Sequence, residues 1–227
     1  RDVLLKLLKS SKIKFPVKRI VDIGGGDAFI INEIYRQNLA SAYFTIDTAY
    51  SPEIISQLKA NYGENPIHYV QNLTDYFANF PSEENTLFLC MDVLEHLENE
   101  NEILNHLTEK NNYFLFAVPA FQSVFSNHDV LLGHYRRYNL NQLQQVLKQH
   151  NFQIQDKGYY FTSLLLMRWL ESLFDKNKKA SIDNWKGSAF KSKLITSVLQ
   201  LDFGFTQVLK KFGIRIYGLS CYCICKK

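Results

Sequence analysis

The fold is decided by one short stretch near the start of the chain, where an apolar run gives way to three glycines. That stretch reads Val21-Asp22-Ile23-Gly24-Gly25-Gly26-Asp27-Ala28-Phe29. The run from 18 to 23 predicts a buried strand, and the spacing of Ile30, Ile31 and Ile34 predicts a helix just beyond the glycines. Glycines permit a tight turn and let a ligand approach the backbone closely. The free amides that open such a helix attract an anionic group.

Two acids make this loop more specific. Asp22 stands just before the first glycine, where a carboxylate suits an ammonium group better than a pyrophosphate. Asp47 ends the next strand-like segment, about twenty residues further on, where an acid that binds ribose hydroxyls is expected in nucleotide-binding sheets. The pair predicts a nucleotide-type ligand that also has a positively charged end.

Outward from the loop, strand-like and helix-like segments alternate, which predicts an α/β fold with a mostly parallel sheet and helices on both faces. After the first strand, the predicted strands are Ala42–Asp47, Ile67–Gln71, Thr86–Met91, Tyr113–Val118, Phe152–Lys157 and Leu219–Cys225. We expect the last strand to pair antiparallel with the sixth. Helices are predicted to begin at Ser51, to run through Leu94–Leu107 with a break near Asn99, and to span Asn139–His150.

The alternation of strand-like and helix-like segments stops between 161 and 213, where two or three helices are expected around a Lys-rich link, Asp175 to Lys186. We therefore predict a single domain over 1–227, with a core at 12–160 and 213–227 and a helical insertion at 161–212. Its apolar side is interpreted as core or as a lid over the acceptor site. The alternative is a peripheral contact with a membrane or a lipid-linked sugar.

Composition excludes several classes of protein. Lys and Arg number 26 against 22 acids, a formal net charge of +4 over 227 residues, which is too mild to indicate nucleic-acid binding. No secretory signal or membrane-spanning run is visible, and we expect a cytoplasmic location, with contact at the inner membrane face as the variant. The four cysteines, three of them two apart near the C-terminus, predict one buried strand face. Neither a disulfide nor a metal site is expected.

Three motifs together resemble the class I S-adenosylmethionine-dependent methyltransferases. The glycine loop is similar to their first motif, with Ala28 in place of the last glycine. The run Asp92-Val93-Leu94-Glu95-His96-Leu97 is similar to the fourth-strand motif of one large subgroup. The stretch from Val118 to Tyr138, which ends in Gly-His-Tyr-Arg-Arg-Tyr, resembles a narrower bacterial subgroup often found near sugar-transfer and cell-envelope functions.

This resemblance implies a Rossmann-like sheet of seven strands with the last antiparallel, and S-adenosyl-L-methionine as the cofactor. It places the methionine end of the cofactor at the glycine loop, the ribose at the second strand, the adenine after the third, and the reacting centre at the fourth. The implied cofactor-binding residues are Asp22, Gly24, Gly25, Gly26, Asp47, Asn72, Met91, Asp92 and His96.

The loop after the fifth strand is the expected acceptor side, because ionisable groups are dense there at the active edge of the sheet. His128 or His134 is the hypothesised general base, needed if the acceptor is a hydroxyl. The hypothesised acceptor contacts are Asp129, Arg136, Arg137 and Tyr138.

The predicted function is therefore transfer of a methyl group to a small-molecule, sugar or lipid-linked acceptor, with O-methylation favoured. Two alternatives stay open: a nicotinamide-dependent oxidoreductase on a similar fold, and a non-catalytic module that binds the cofactor. A nucleic-acid methyltransferase is disfavoured, since the Asn/Asp-Pro-Pro-Tyr/Phe signature is absent.

Overall fold

The computed structural model describes residues 1–81, 83–174 and 189–227, and the side chains within these ranges except 171–194. A seven-stranded sheet forms its centre, in the order β3-β2-β1-β4-β5-β7-β6. The strands are β1 Val17–Ile23, β2 Ala40–Ile46, β3 Ile67–Val70, β4 Thr86–Met91, β5 Tyr113–Pro119, β6 Gln153–Tyr160 and β7 Ser220–Lys226.

Helices surround this sheet. They are α1 Asp2–Ser10, α2 Phe29–Tyr35, α3 Pro52–Tyr62, α4 Leu73–Asn79, α5 Asn101–Leu104, α6 Asn127–Leu131, α7 Leu140–Gln149, α8 Thr162–Phe174 and α9 Ala189–Lys211. Two short 3₁₀ turns, Leu94–His96 and Gln122–Val124, follow β4 and β5. Because β1, β4 and β5 run parallel, the loops after them meet at one edge of the sheet.

The predicted fold class is confirmed. Strands β1 to β5 pair in parallel, whereas β7 is antiparallel to both β5 and β6. The helical insertion lies between β6 and β7, as expected, and it contributes α8 and α9. The Lys-rich link at 175–186 lies outside the described residues. No helix that the structure describes is long and apolar enough to cross a membrane.

Strand alternation divides the core into two layers, one on each face of the sheet. On one face, Phe88, Phe114 and Phe116 stack along neighbouring strands, and Phe152 packs edge-on against the last two. The cysteines Cys90, Cys221, Cys223 and Cys225 are buried in that same layer as free thiols. The predicted strand face of cysteines is therefore confirmed for β7.

The segment Leu94–Leu107 is less helical than predicted, although the break expected near Asn99 is confirmed. The structure has only the 3₁₀ turn Leu94–His96 and the single-turn helix α5 there. The leucines still reach the core, with Leu94, Leu104 and Leu107 almost fully buried, but they do so from a looping backbone. By contrast, the helix predicted from Asn139 is confirmed, with a capping box between Asn139 and Gln142.

Candidate functional site

The glycine loop is fastened to the carboxyl end of β2. The amides of Gly24 and Gly25 both donate to the carbonyl of Ile46, over 2.8 and 3.1 Å. Gly24 and Gly26 have φ angles of +74° and +50°, a region that non-glycine residues rarely adopt. The amides of the first two glycines therefore hold the start of the loop against the end of strand β2.

The three glycines are needed for different reasons. A Cβ on Gly25 would lie 1.8 Å from Thr45 Oγ1, and one on Gly24 would lie 2.4 Å from Val93 Cγ2. These two glycines therefore allow close packing against β2 and the loop after β4. A Cβ on Gly26 would meet nothing within 4 Å. Its open side leaves the backbone accessible to a ligand.

Asp47 joins the end of β2 to the glycine loop. Its Oδ2 accepts a hydrogen bond from the Gly26 amide over 2.9 Å, and its Oδ1 accepts one from the Ala49 amide over 2.9 Å. The side chain is half-buried, and each carboxylate oxygen keeps lone pairs beyond these bonds. An adjacent pair of hydroxyls could therefore donate to it without disturbing the loop.

Asp22 is an acid in an unusual place, because its residue is only 4% exposed within β1. Burial, followed by the nearby negative charges of Asp47 and Asp27, raises the pKa of Asp22 to about 7. Among the described residues it has no hydrogen-bond or ion-pair partner. A cation placed against it would restore the missing partner, which fits an ammonium group at this end of the loop.

The other expected cofactor contacts lie at the same edge of the sheet. Asn72 caps α4, where its Oδ1 accepts from the Asp75 amide over 2.8 Å and its Nδ2 donates to the Asp75 carboxylate over 2.7 Å. Met91 ends β4, and Asp92 follows it with a φ of +54°. Asp92 is exposed as a whole residue, but neighbouring protein atoms exclude water from part of its carboxyl. This desolvation raises the pKa of that carboxyl.

The loop after β4 and the loop before α7 interlock. The Tyr135 amide donates to the carbonyl of Glu95 over 2.8 Å. Arg136 forms an ion pair with Glu100 over 2.9 Å, and the Tyr138 hydroxyl donates to the same carboxylate over 2.6 Å. The two motifs quoted from the sequence are therefore parts of one structural unit.

Asp129 holds together the loop between β5 and α7. It is fully buried, and its Oδ1 accepts from Arg137 Nε over 2.7 Å and lies 3.0 Å from His134 Nδ1. Its Oδ2 accepts from the Ser126 amide over 2.8 Å. Burial opposes ionisation, but Arg137 and these hydrogen bonds outweigh it and lower the pKa of Asp129.

This arrangement sorts the expected acceptor contacts. His128, the sequence neighbour of Asp129, is half-buried, and its side chain makes no hydrogen bond within the described residues. His134 is the histidine that Asp129 orients. Because Asp129 is fully buried and Arg137 nearly so, both would act on an acceptor through His134 rather than by touching it.

Glu95 is a residue that the sequence analysis missed. It is fully buried, and both of its carboxylate oxygens are without a hydrogen-bond partner in the structure described. Burial and the neighbouring charge of Asp92 raise the pKa of Glu95 to about 8. The only hint in the sequence is that this acid stands between Leu94 and Leu97, within an otherwise apolar pattern. Ligand atoms of Glu95, His96 and His134 lie within 4.8 Å of one another.

Comparison with known proteins shows the fold. Neither a protein-family model nor a curated protein sequence matches the chain. Solved structures with similar folds include an S-adenosylmethionine-dependent methyltransferase from Archaeoglobus fulgidus, with a TM-score of 0.54 and 17% identity over 99% of this chain and 93% of that one. Another such enzyme, from Mesorhizobium loti, gives a TM-score of 0.56 and 12% identity over 99% and 98%.

A third likeness is to phosphoethanolamine N-methyltransferase 2 of Haemonchus contortus in complex with S-adenosyl-L-methionine. The TM-score is 0.57 with 14% identity, over 98% of this chain and 51% of that one. At these identities the likenesses establish a Rossmann-like methyltransferase fold for the chain.

Proposed function

We propose that the chain is a methyltransferase that uses S-adenosyl-L-methionine. The observation that supports this most is the pair of acids at the glycine loop: a buried, unpartnered Asp22 beside an open Gly26 backbone, with Asp47 at the end of β2. A site for a dinucleotide would place a pyrophosphate against the same loop, and Asp22 would then repel it. The proposal therefore favours a ligand with an ammonium group over NAD.

Each residue in the loop would have a distinct part in binding. Asp22 accepts a hydrogen bond from the ammonium group, directly or through water, while the loop Gly24-Gly25-Gly26 lies along the methionine end, with its open side at Gly26. Asp47 accepts both ribose hydroxyls, and Asn72 lies where the adenine edge is expected. Met91, Asp92 and His96 border the reacting end. The bound cofactor supplies an activated methyl group, so that alignment of the acceptor does much of the work.

The acceptor side would lie between His96, His134 and the loop before α7. The proposed acceptor is a hydroxyl of a small molecule, a sugar or a lipid-linked sugar, since a hydroxyl must lose a proton and His134 is oriented by Asp129 to accept it at Nε2. Arg136, whose side chain is one-third exposed, could hold an anionic part of the acceptor. His128 is the weaker candidate for the base because Asp129 does not hold it.

The surface of the insertion supports a lipid-linked acceptor. Helix α8 packs against the 3₁₀ turn after β5, so the insertion adjoins the acceptor loop. Several large apolar side chains of α8, α9 and the segment after them are more than half exposed. They are Leu166, Met167, Trp169, Leu201, Phe205, Val208, Phe212, Ile214 and Tyr217. The exposed cations Lys211 and Arg215 adjoin Phe212 and Ile214 in the chain and suit anionic headgroups.

Vesicle flotation tests this membrane contact. The protein should float with anionic phospholipid vesicles, and the double variant Leu201→Glu/Phe205→Glu should stay in the dense fraction because charges replace two exposed apolar contacts. Ile54→Glu, an exposed apolar position on α3, is the matched control and should float like the wild type. Equal flotation of all three proteins, or none at all, would exclude the contact.

A thermal-shift panel tests the proposed function. S-adenosylhomocysteine at 100 times its Kd should stabilise the protein by about 2.7 kcal/mol, which is a shift of several degrees, whereas NAD should give none. A shift with NAD alone would support the oxidoreductase. Stabilisation by S-adenosylhomocysteine without transfer to any hydroxyl acceptor would leave the chain as a cofactor-binding module.

A further inference from the structure

The cluster of Glu95, His96 and His134 has the features of a metal-binding site. Glu95 is the most unusual of the three, because a fully buried carboxylate with no hydrogen-bond partner is costly unless something else binds it. No Lys or Arg in the part of the chain described forms an ion pair with it. The two imidazoles lie close enough to bind one ion together with its oxygens.

His134 is already arranged as metal-binding histidines usually are. Its Nδ1 lies 3.0 Å from Asp129 Oδ1, and Asp129 is in turn fixed by Arg137. Since an ionised carboxylate only accepts, the Nδ1 must be the protonated nitrogen, and the lone pair is then on Nε2. A carboxylate that fixes the tautomer and orientation of a ligand histidine is the usual outer-shell partner in such sites.

His96 completes the set from the solvent side. Its ring lies edge-on to that of His134, with the centroids 4.6 Å apart, and its side chain is exposed. The cluster therefore passes from a buried carboxylate to an accessible imidazole, which leaves a route for an ion to enter and an open side for a further ligand. Tetrahedral ligands at about 2.1 Å from zinc are about 3.4 Å apart, so the present spread of up to 4.8 Å needs only modest closure.

We propose that Glu95, His96 and His134 bind one divalent transition-metal ion. Two imidazoles and one carboxylate suit zinc, cobalt or iron(II), whereas magnesium and calcium prefer all-oxygen sets. The interlocked loops fix the positions of the ligands, because the Tyr135 amide bonds to the Glu95 carbonyl and thereby sets the two ligand-bearing segments side by side.

The position of the site indicates its role, and this step rests on the proposed function. Val93 packs against Gly24 of the glycine loop, and Glu95, the first residue of the cluster, follows Val93 by two positions. The cluster therefore lies close to the proposed cofactor site. An acceptor oxygen bound to the ion would release its proton to solvent more readily, and the new O–CH₃ bond would form as the S–CH₃ bond breaks. His134 would then be a ligand, and the ion would replace it in activating the hydroxyl.

Cobalt titration of the metal-stripped protein tests the site. One equivalent of Co²⁺ should produce visible d–d absorption that one equivalent of Zn²⁺ removes. Glu95→Gln and His96→Ala should each weaken Co²⁺ binding by at least about 100-fold, because each removes a direct ligand, and loss of an outer-shell partner alone costs 10–100-fold. His106→Ala, an exposed histidine outside the cluster, is the matched control and should bind as the wild type does.

Absence of cobalt or zinc uptake by the wild-type protein would overturn the proposal, as would equal uptake by Glu95→Gln and the wild type. His96 is on the surface, so its variant reports on the site even if Glu95→Gln misfolds. Titration of the same samples with S-adenosylhomocysteine separates the two proposals. Metal uptake without cofactor binding contradicts the methyltransferase assignment alone, and cofactor binding without metal uptake contradicts the metal site alone.

Discussion

Replacing Asp47 by alanine should weaken binding of S-adenosylhomocysteine by roughly 100-fold. Two hydrogen bonds from ribose hydroxyls to a charged acceptor are together worth about 3 kcal/mol, which is a little over two orders of magnitude in affinity. The variant should remain folded, because the bonds it loses to Gly26 and Ala49 lie in a partly exposed loop. Calorimetric titration of the variant and the wild type measures the difference directly.

Two variants control for charge and for loop geometry. Asp47→Asn keeps an oxygen acceptor but loses the charge, and it should show an intermediate loss. Asp27→Asn removes the same charge from the same loop and keeps an acceptor for the Phe29 amide, and it should bind nearly as the wild type does. Equal losses in Asp27→Asn and Asp47→Ala would show that general charge, rather than a ribose contact, governs binding.

Replacing Asp129 by alanine should lower the free energy of unfolding by about 3–5 kcal/mol. The change leaves the Arg137 guanidinium buried without a counterion, and truncation of one partner of a buried pair typically has this cost. It also removes the acceptor for the Ser126 amide and frees His134. Urea denaturation of the wild type and the variant measures the loss.

Arg136→Ala provides the matched comparison. The pair of Arg136 with Glu100 is partly exposed, so its removal should cost about 1 kcal/mol or less. If Asp129→Ala and Arg136→Ala are equally stable, the buried pair is not what holds the acceptor-side loop. The ion pairs of Arg136 and Arg137 would then contribute equally to stability, although the structure buries only that of Arg137.

The sheet could be predicted from the sequence because its signals are local. Each strand is a short apolar run with a turn residue at its end. Asp22 and Asp47 could be assigned as candidate binding residues from their spacing to the glycines alone. The parallel order brings those strand ends together without further information. The cofactor side of the site therefore follows from patterns no longer than about thirty residues.

The acceptor side could not be predicted in the same way because its contacts span about forty residues. The leucines at 94, 97, 104 and 107 have helical spacing, but hydrogen bonds from Tyr135, Arg136 and Tyr138 decide the backbone there. The sequence left His128 and His134 as alternative bases, and only the fold shows that Asp129 contacts His134. Glu95 is visible as a site residue only once its burial is known.

Calorimetric titration of the wild-type protein with S-adenosylhomocysteine, at pH 6 and at pH 8, shows whether the glycine loop binds the cofactor. We expect one ligand per chain, with affinity about tenfold higher at pH 8. Because the raised pKa of Asp22, about 7, leaves it mostly protonated at pH 6, binding of an ammonium group must first release that proton. At pH 8 the carboxylate is already charged. Absence of binding at both pH values would contradict the assignment of the glycine loop as a cofactor site.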